Sequence, residues 1–91
     1  MFSPKLLVEF LGTFVFLLVV QRMGQQPFAV AAALLAMIYL GTGLSSHFNP
    51  AISCMKWANS ELSSSDCLMF VATQLVAGFC ALKVNSYLSR A

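Results

Sequence analysis

The side chains of this sequence that could do chemistry are few, and they fall in three places: Glu9, the run His47-Phe48-Asn49-Pro50-Ala51, and Gln74. One histidine and three carboxylates do not assemble into a Ser/His/Asp set, a phosphate-binding loop or a metal-ligand spacing, so no enzymatic activity, cofactor or metal is expected. The three cysteines, Cys54, Cys67 and Cys80, are odd in number and too widely spaced for a CxxC pair. Neither a disulfide framework nor a zinc site is expected from them, and Cys67 and Cys80 read as small packing residues. The Asn-Pro pair is more informative. Asn is a favoured helix cap and Pro suits the first helical turn, so a helix should open at Pro50. Its tip would carry about half a positive charge and several N–H groups without partners. In a narrow passage such a tip repels cations and orients a dipolar neutral molecule, with the Asn49 amide as donor and carbonyls of the preceding loop as acceptors. The plainer alternative is that Asn49-Pro50 marks an ordinary turn between two helices.

The elements that must position these residues follow from composition. Of the 91 residues 59% are hydrophobic and only 9% are charged, whereas a soluble domain typically carries about 25% charged residues. Too few solvated side chains remain to coat a globule of this size, so the chain reads as an all-α integral membrane protein with the lipid bilayer as its first partner. A net charge of +2 without a basic cluster argues against nucleic acid. Three apolar stretches give spans over about 4–21, 27–43 and 66–86, each near the short end of the ~20 residues a crossing needs. Ser3-Pro4 and Pro27 open the first two, and the cap-rich segment Ser60 to Asp66 precedes the third. The first stretch is not read as a cleaved signal peptide, because Glu9 interrupts it and Gln21-Arg22-Met23-Gly24 offers no small-x-small site. Between the second and third spans, the segment over about 50–58 is too brief to cross. It reads as a re-entrant half-helix that begins at membrane depth, where irregular backbone must be buried in protein or line a wet cavity.

Three segments carry a resemblance. Glu9-Phe10-Leu11-Gly12-Thr13, Ser45-Ser46-His47-Phe48-Asn49-Pro50-Ala51 and Ala72-Thr73-Gln74-Leu75-Val76-Ala77-Gly78 resemble, in order and spacing, those of the aquaporin (major intrinsic protein) family. The resemblance covers nearly the whole chain. It implies three spans plus one re-entrant half-helix, with Asn49 as the pore-facing donor and Pro50 and Ala51 packed against the equivalent motif of a second half. It implies that Glu9 hydrogen-bonds the re-entrant loop and that Gln74 does similar work from the third span; plain alternatives are an interfacial carboxylate and an ordinary interhelical bond. His47 lines the pore or packs the loop, and Gly12 and Gly78 mark close helix contacts.

The sequence departs from that family in having one half of the usual tandem inverted repeat. It is similar to the first half, because Ile52 follows the motif where the second half normally has an arginine. Counting back from Asn49 without gaps places the second-span selectivity position near Phe28 or Ala29. A wider, less polar constriction follows, making a small neutral solute the safer expectation than water alone. A second half must come from elsewhere. Lys5 and Lys56 fall on one side, and Arg22, Lys83 and Arg90 on the other, which is almost no positive-inside bias. That balance suits a homo-oligomer built on antiparallel pairs. The expected function is a passive channel for water or small uncharged solutes. The alternatives are a non-conducting or assembly subunit of a larger channel, and a small dual-topology proton-coupled transporter using Glu9.

Overall fold

The computed structural model describes residues 3–90, and within them every regular element is a helix: α1 (Pro4–Met23), α2 (Pro27–Leu40), α3 (Pro50–Ala58) and α4 (Ser64–Leu88). Each start is written locally. Ser3 Oγ accepts from the Leu6 N–H at 3.2 Å ahead of Pro4. Asn49 Oδ1 accepts from the Ala51 N–H at 2.8 Å ahead of Pro50. Ser63 Oγ accepts from the Asp66 N–H at 3.1 Å, and Asp66 adds a carboxylate in the first turn, where the helix dipole favours it.

α2 stops at Leu40, short of the expected end at about 43. Gly41 is buried, and a β-carbon on it would run into the Ser45 carbonyl oxygen and lie 3.2 Å from Val8 Cγ1. The chain therefore turns at Gly41 against α1, with the Leu44 and Ser45 N–H groups bonded back to the Gly41 carbonyl at 2.9 and 3.0 Å.

Cross-helix bonds set the direction of the elements. Glu9 meets Gln74, and further along both helices Gln21 meets Asn85, so α1 and α4 run parallel. α2 returns antiparallel to α1 after the tight Gly24–Gln26 connection. The chain then dips inward until the Phe48 ring lies over Gly12, about 12 Å along α1 from Pro4. From there α3 climbs back to the end it left, and the Trp57 indole N–H ties it to Ser64 Oγ at 2.9 Å. α3 is thus a short helix with its start in the middle of the molecule and its finish level with the start of α4.

Small side chains let α1 and α4 approach closely. Ala77 and Ala81 are fully enclosed, and Gly12, Thr13 and Thr73 are buried beside them. The distribution of polarity is the reverse of a water-soluble protein's. Glu9, Thr13, Ser53 and Gln74 are the largest fully buried side chains, while Phe28, Leu35, Tyr39, Leu68 and Phe79 are more than 65% exposed. None of α2's side chains is buried, although its sequence is apolar throughout save the Tyr39 hydroxyl. α1 and α4 are both long and apolar enough to cross a membrane, each reaching a mean hydropathy of 1.9, whereas α2 is shorter.

Candidate functional site

The centre of the molecule is organised by one carboxylate. Glu9 is completely buried. Its Oε1 accepts from the Phe48 N–H at 2.8 Å and from Gln74 Nε2 at 2.9 Å. Its Oε2 accepts from the His47 N–H at 2.8 Å and from the Ser45 hydroxyl. Four donors from two different elements therefore converge on two oxygens, the pattern that makes a buried carboxylate tolerable. α1 supplies the acceptor, α4 one donor, and the loop between α2 and α3 the other three.

The network continues through Ser53, one helical turn after Asn49 on α3. Gln74 Nε2 also donates to Ser53 Oγ at 2.9 Å, and His47 Nδ1 lies 2.9 Å from the same oxygen. The Ser53 hydroxyl, one donor and two acceptor sites on one oxygen, thus joins Gln74 to the His47 ring. The ring is steadied by Phe70, with centroids 4.9 Å apart.

Holding the loop in this way requires an unusual backbone. Phe48 has φ +54°, a left-handed conformation costly for a bulky side chain. Its N–H bond to Glu9 and its ring packing on Gly12 offset that cost: Phe48 is 3% exposed, and a β-carbon on Gly12 would lie 2.7 Å from ring atoms Cδ1 and Cζ. The turn delivers Asn49 to the surface with Oδ1 committed to the helix cap, so its amide NH₂ is the end left for an outside acceptor.

The expected site residues do not share one cavity. Asn49 and Pro50 line a groove of about 430 Å³ together with Thr13, Gln74, Leu75 and Phe79. His47 and Ile52 line a separate cavity of about 470 Å³ on the other side of the loop, with Lys5, Lys56 and Glu61 at its margin. Ala51 is exposed in the first turn of α3, and its N–H is the group that Asn49 caps. Ala29 is half-buried in the first turn of α2 and lines neither cavity.

Two buried oxygens at the groove, Thr13 Oγ1 and Gln74 Oε1, have no hydrogen-bond partner among the described residues. They lie behind the groove surface, where the Asn49 amide and Gln21 are the polar side chains among mostly apolar neighbours. At the other cavity, Lys56 Nζ pairs with Glu61 at 3.4 Å. Hydrogen bonds from Asn59 and then from Lys56 hold the Glu61 carboxyl below the usual range. No group of three metal-ligating side chains forms among the described residues.

Ser45, Phe48 and Thr13, which the quoted motifs contain without an assigned role, belong to this site, and so does Ser53, which lies outside those motifs. Thr13 and Ser53 each follow a recognised residue by one helical turn, Thr13 after Glu9 and Ser53 after Asn49, and that spacing was the available signal. No known family model matches the chain, and neither does any curated protein or solved structure.

Proposed function

We propose that this chain is a membrane-embedded half-channel of aquaporin type, conducting water or small uncharged solutes through a pore completed by a second three-helix unit. The carrying observation is the start of α3 in the middle of the molecule, fixed by the four bonds to Glu9 with the Asn49 amide presented at a groove. A helix start at that depth concentrates positive potential where a cation would have to pass, and donors and acceptors beside it suit a neutral dipole. The buried polar network under an apolar exterior supports a lipid surrounding. α1 and α4 have the length for it. α2, with 14 residues, rises only about 21 Å and crosses with the help of its flanking turns.

The pairing partner is a second copy in antiparallel orientation, which places two Asn49 tips face to face. A second reading, a non-conducting assembly subunit, is favoured by one feature: the groove beside Asn49 is open, so a single copy encloses no passage. The proton-coupled transporter is disfavoured by Glu9, whose two oxygens are already occupied by four donors.

Stopped-flow shrinkage of liposomes containing only the purified chain tests the reading, with water and glycerol compared. Shrinkage faster than in protein-free liposomes, changed by Asn49→Asp and indifferent to a proton gradient, is the expected result. Flux only when another protein is added would replace the channel with the subunit. Gradient-driven cation movement lost in Glu9→Gln would replace it with the transporter.

A further inference from the structure

The cysteines have no part in the reading above, yet two of the three are neighbours. Cys54 is exposed on α3, directly after the fully buried Ser53, and Cys67 is buried in the first turn of α4. The short connection from Asn59 to Ser63 folds α3 back beside α4, and the Trp57–Ser64 bond holds the two together. The Cys67 thiol donates to the Ser53 carbonyl at 3.8 Å, the carbonyl of the peptide bond that leads into Cys54. The Cys67 sulfur therefore lies against the stretch of α3 backbone that carries Cys54. Cys80 lies further down α4, about 20 Å from Cys67 along the axis. Sequence spacing concealed the pair, because a gap of 13 residues (54 to 67) carries no recognisable motif.

We infer that Cys54 and Cys67 form a two-thiol oxidation site that closes to an intramolecular disulfide under peroxide, stapling α3 to α4. The exposed sulfur reacts first. The Cys54 thiolate attacks one oxygen of hydrogen peroxide, the O–O bond breaks, and the leaving hydroxide takes up the thiol proton as water, giving a sulfenic acid. Cys67 then attacks the Cys54 sulfur as its thiolate, the S–O bond breaks, and the departing oxygen leaves as a second water. Two thiols lose two electrons and two protons in all, and one peroxide becomes two waters. The bridge forms one residue from Ser53, whose hydroxyl holds both Gln74 and His47, so it fastens the helix that presents Asn49. Close approach of the helices is what a disulfide requires, and fully enclosed Ser53 sits at that approach. The inference stands on the α3–α4 packing alone and does not depend on the channel reading.

The test uses the full chain in detergent micelles at neutral pH, treated with hydrogen peroxide, quenched, unfolded in sodium dodecyl sulfate so that every free thiol is reachable, and labelled with a maleimide, followed by intact mass and peptide mapping. The expected result is a mass loss of about 2 Da before labelling, a maleimide count falling from three to one with Cys80 as the labelled residue, and a Cys54–Cys67 cross-linked peptide. Dithiothreitol restores three labels. Cys80→Ala still closes, whereas Cys54→Ala and Cys67→Ala do not, with unchanged helical circular dichroism showing that each variant is folded. Three labels retained after peroxide, sulfinic acid at Cys54 without a cross-link, or a Cys54–Cys54 bond between two chains would each overturn the assignment.

Discussion

Glu9 is the residue on which the arrangement turns, because its charge is matched by donors rather than by a cation. Glu9→Gln keeps the shape but puts an amide NH₂ where an oxygen now accepts, so two donors of the set are left facing a donor. A buried donor without a partner costs ~1–3 kcal/mol, and bonds to a charged acceptor contribute more than neutral ones. The substitution should therefore lower stability by about 2–4 kcal/mol, measured by reversible unfolding in mixed micelles. A change within experimental scatter would show that the loop is held by something else. The neighbouring contact offers a cleaner cycle. Gly12→Ala drives a methyl into the Phe48 ring, which its left-handed backbone prevents from swinging aside, and it should cost about 1–3 kcal/mol by overpacking. In a Phe48→Ala background the space is free, and the same substitution should cost almost nothing. Equal costs in both backgrounds would mean that the two residues are not coupled.

At the scale of elements, α3 tests what its cap is for. Asn and Asp cap helices about equally well, so Asn49→Asp should leave stability within about 0.5 kcal/mol, while Asn49→Ala should lose ~1 kcal/mol. Under the proposed channel function, flux should separate differently: the aspartate places a negative charge at the helix tip and should admit cations, read as a leak in the same liposomes that the unsubstituted chain does not show. Stability falling equally in both variants would remove this distinction between cap and selectivity. The contrast also shows why some elements were legible in the sequence. Helix starts at Ser3-Pro4, Pro27, Asn49-Pro50 and Ser63 rest on chemistry confined to a few neighbouring residues. The end of α2 is less sharply written: Gly41 opens a turn whose Leu44 and Ser45 N–H groups bond back to its carbonyl, and the small residues from 41 to 43 do not say on paper which of them ends the helix. The same holds for the site. A lone carboxylate inside an apolar run is conspicuous on paper, so Glu9 stood out, but nothing local reveals that Ser53 bridges Gln74 to His47. Nor does local sequence reveal that the loop parts Asn49 from His47 into separate cavities. The left-handed turn at Phe48 does that, and it exists only because Glu9 and Gly12 are there to hold it.

For the whole molecule, the parallel course of α1 and α4 puts Ser3 and Arg90 at opposite ends. Lys5 and Lys56 then sit at one end, facing Arg22, Lys83 and Arg90 at the other, and Glu61 and Asp66 both belong to the first. Orientation in a membrane follows the count of Lys and Arg near the ends, with acids contributing little, so the proposed half-channel, at two against three, should insert both ways up. An antiparallel pair requires this near balance, and a parallel assembly does not. Gln25 and Gln26 are exposed in the turn between α1 and α2, and Gln26 makes no side-chain cap, so Gln25→Lys with Gln26→Lys adds charge at the Arg22 end without disturbing a contact. That raises the cationic count there from three to five and should commit every chain to one orientation, seen as protection of a single terminal tag. Flux should then fall to the protein-free rate, because no partner of opposite orientation remains. Co-expression with a Lys83→Gln, Arg90→Gln chain, biased the other way, should restore it. Undiminished flux from the single-orientation chain would dismiss the antiparallel pair and leave a separate complementary half as the partner that completes the pore.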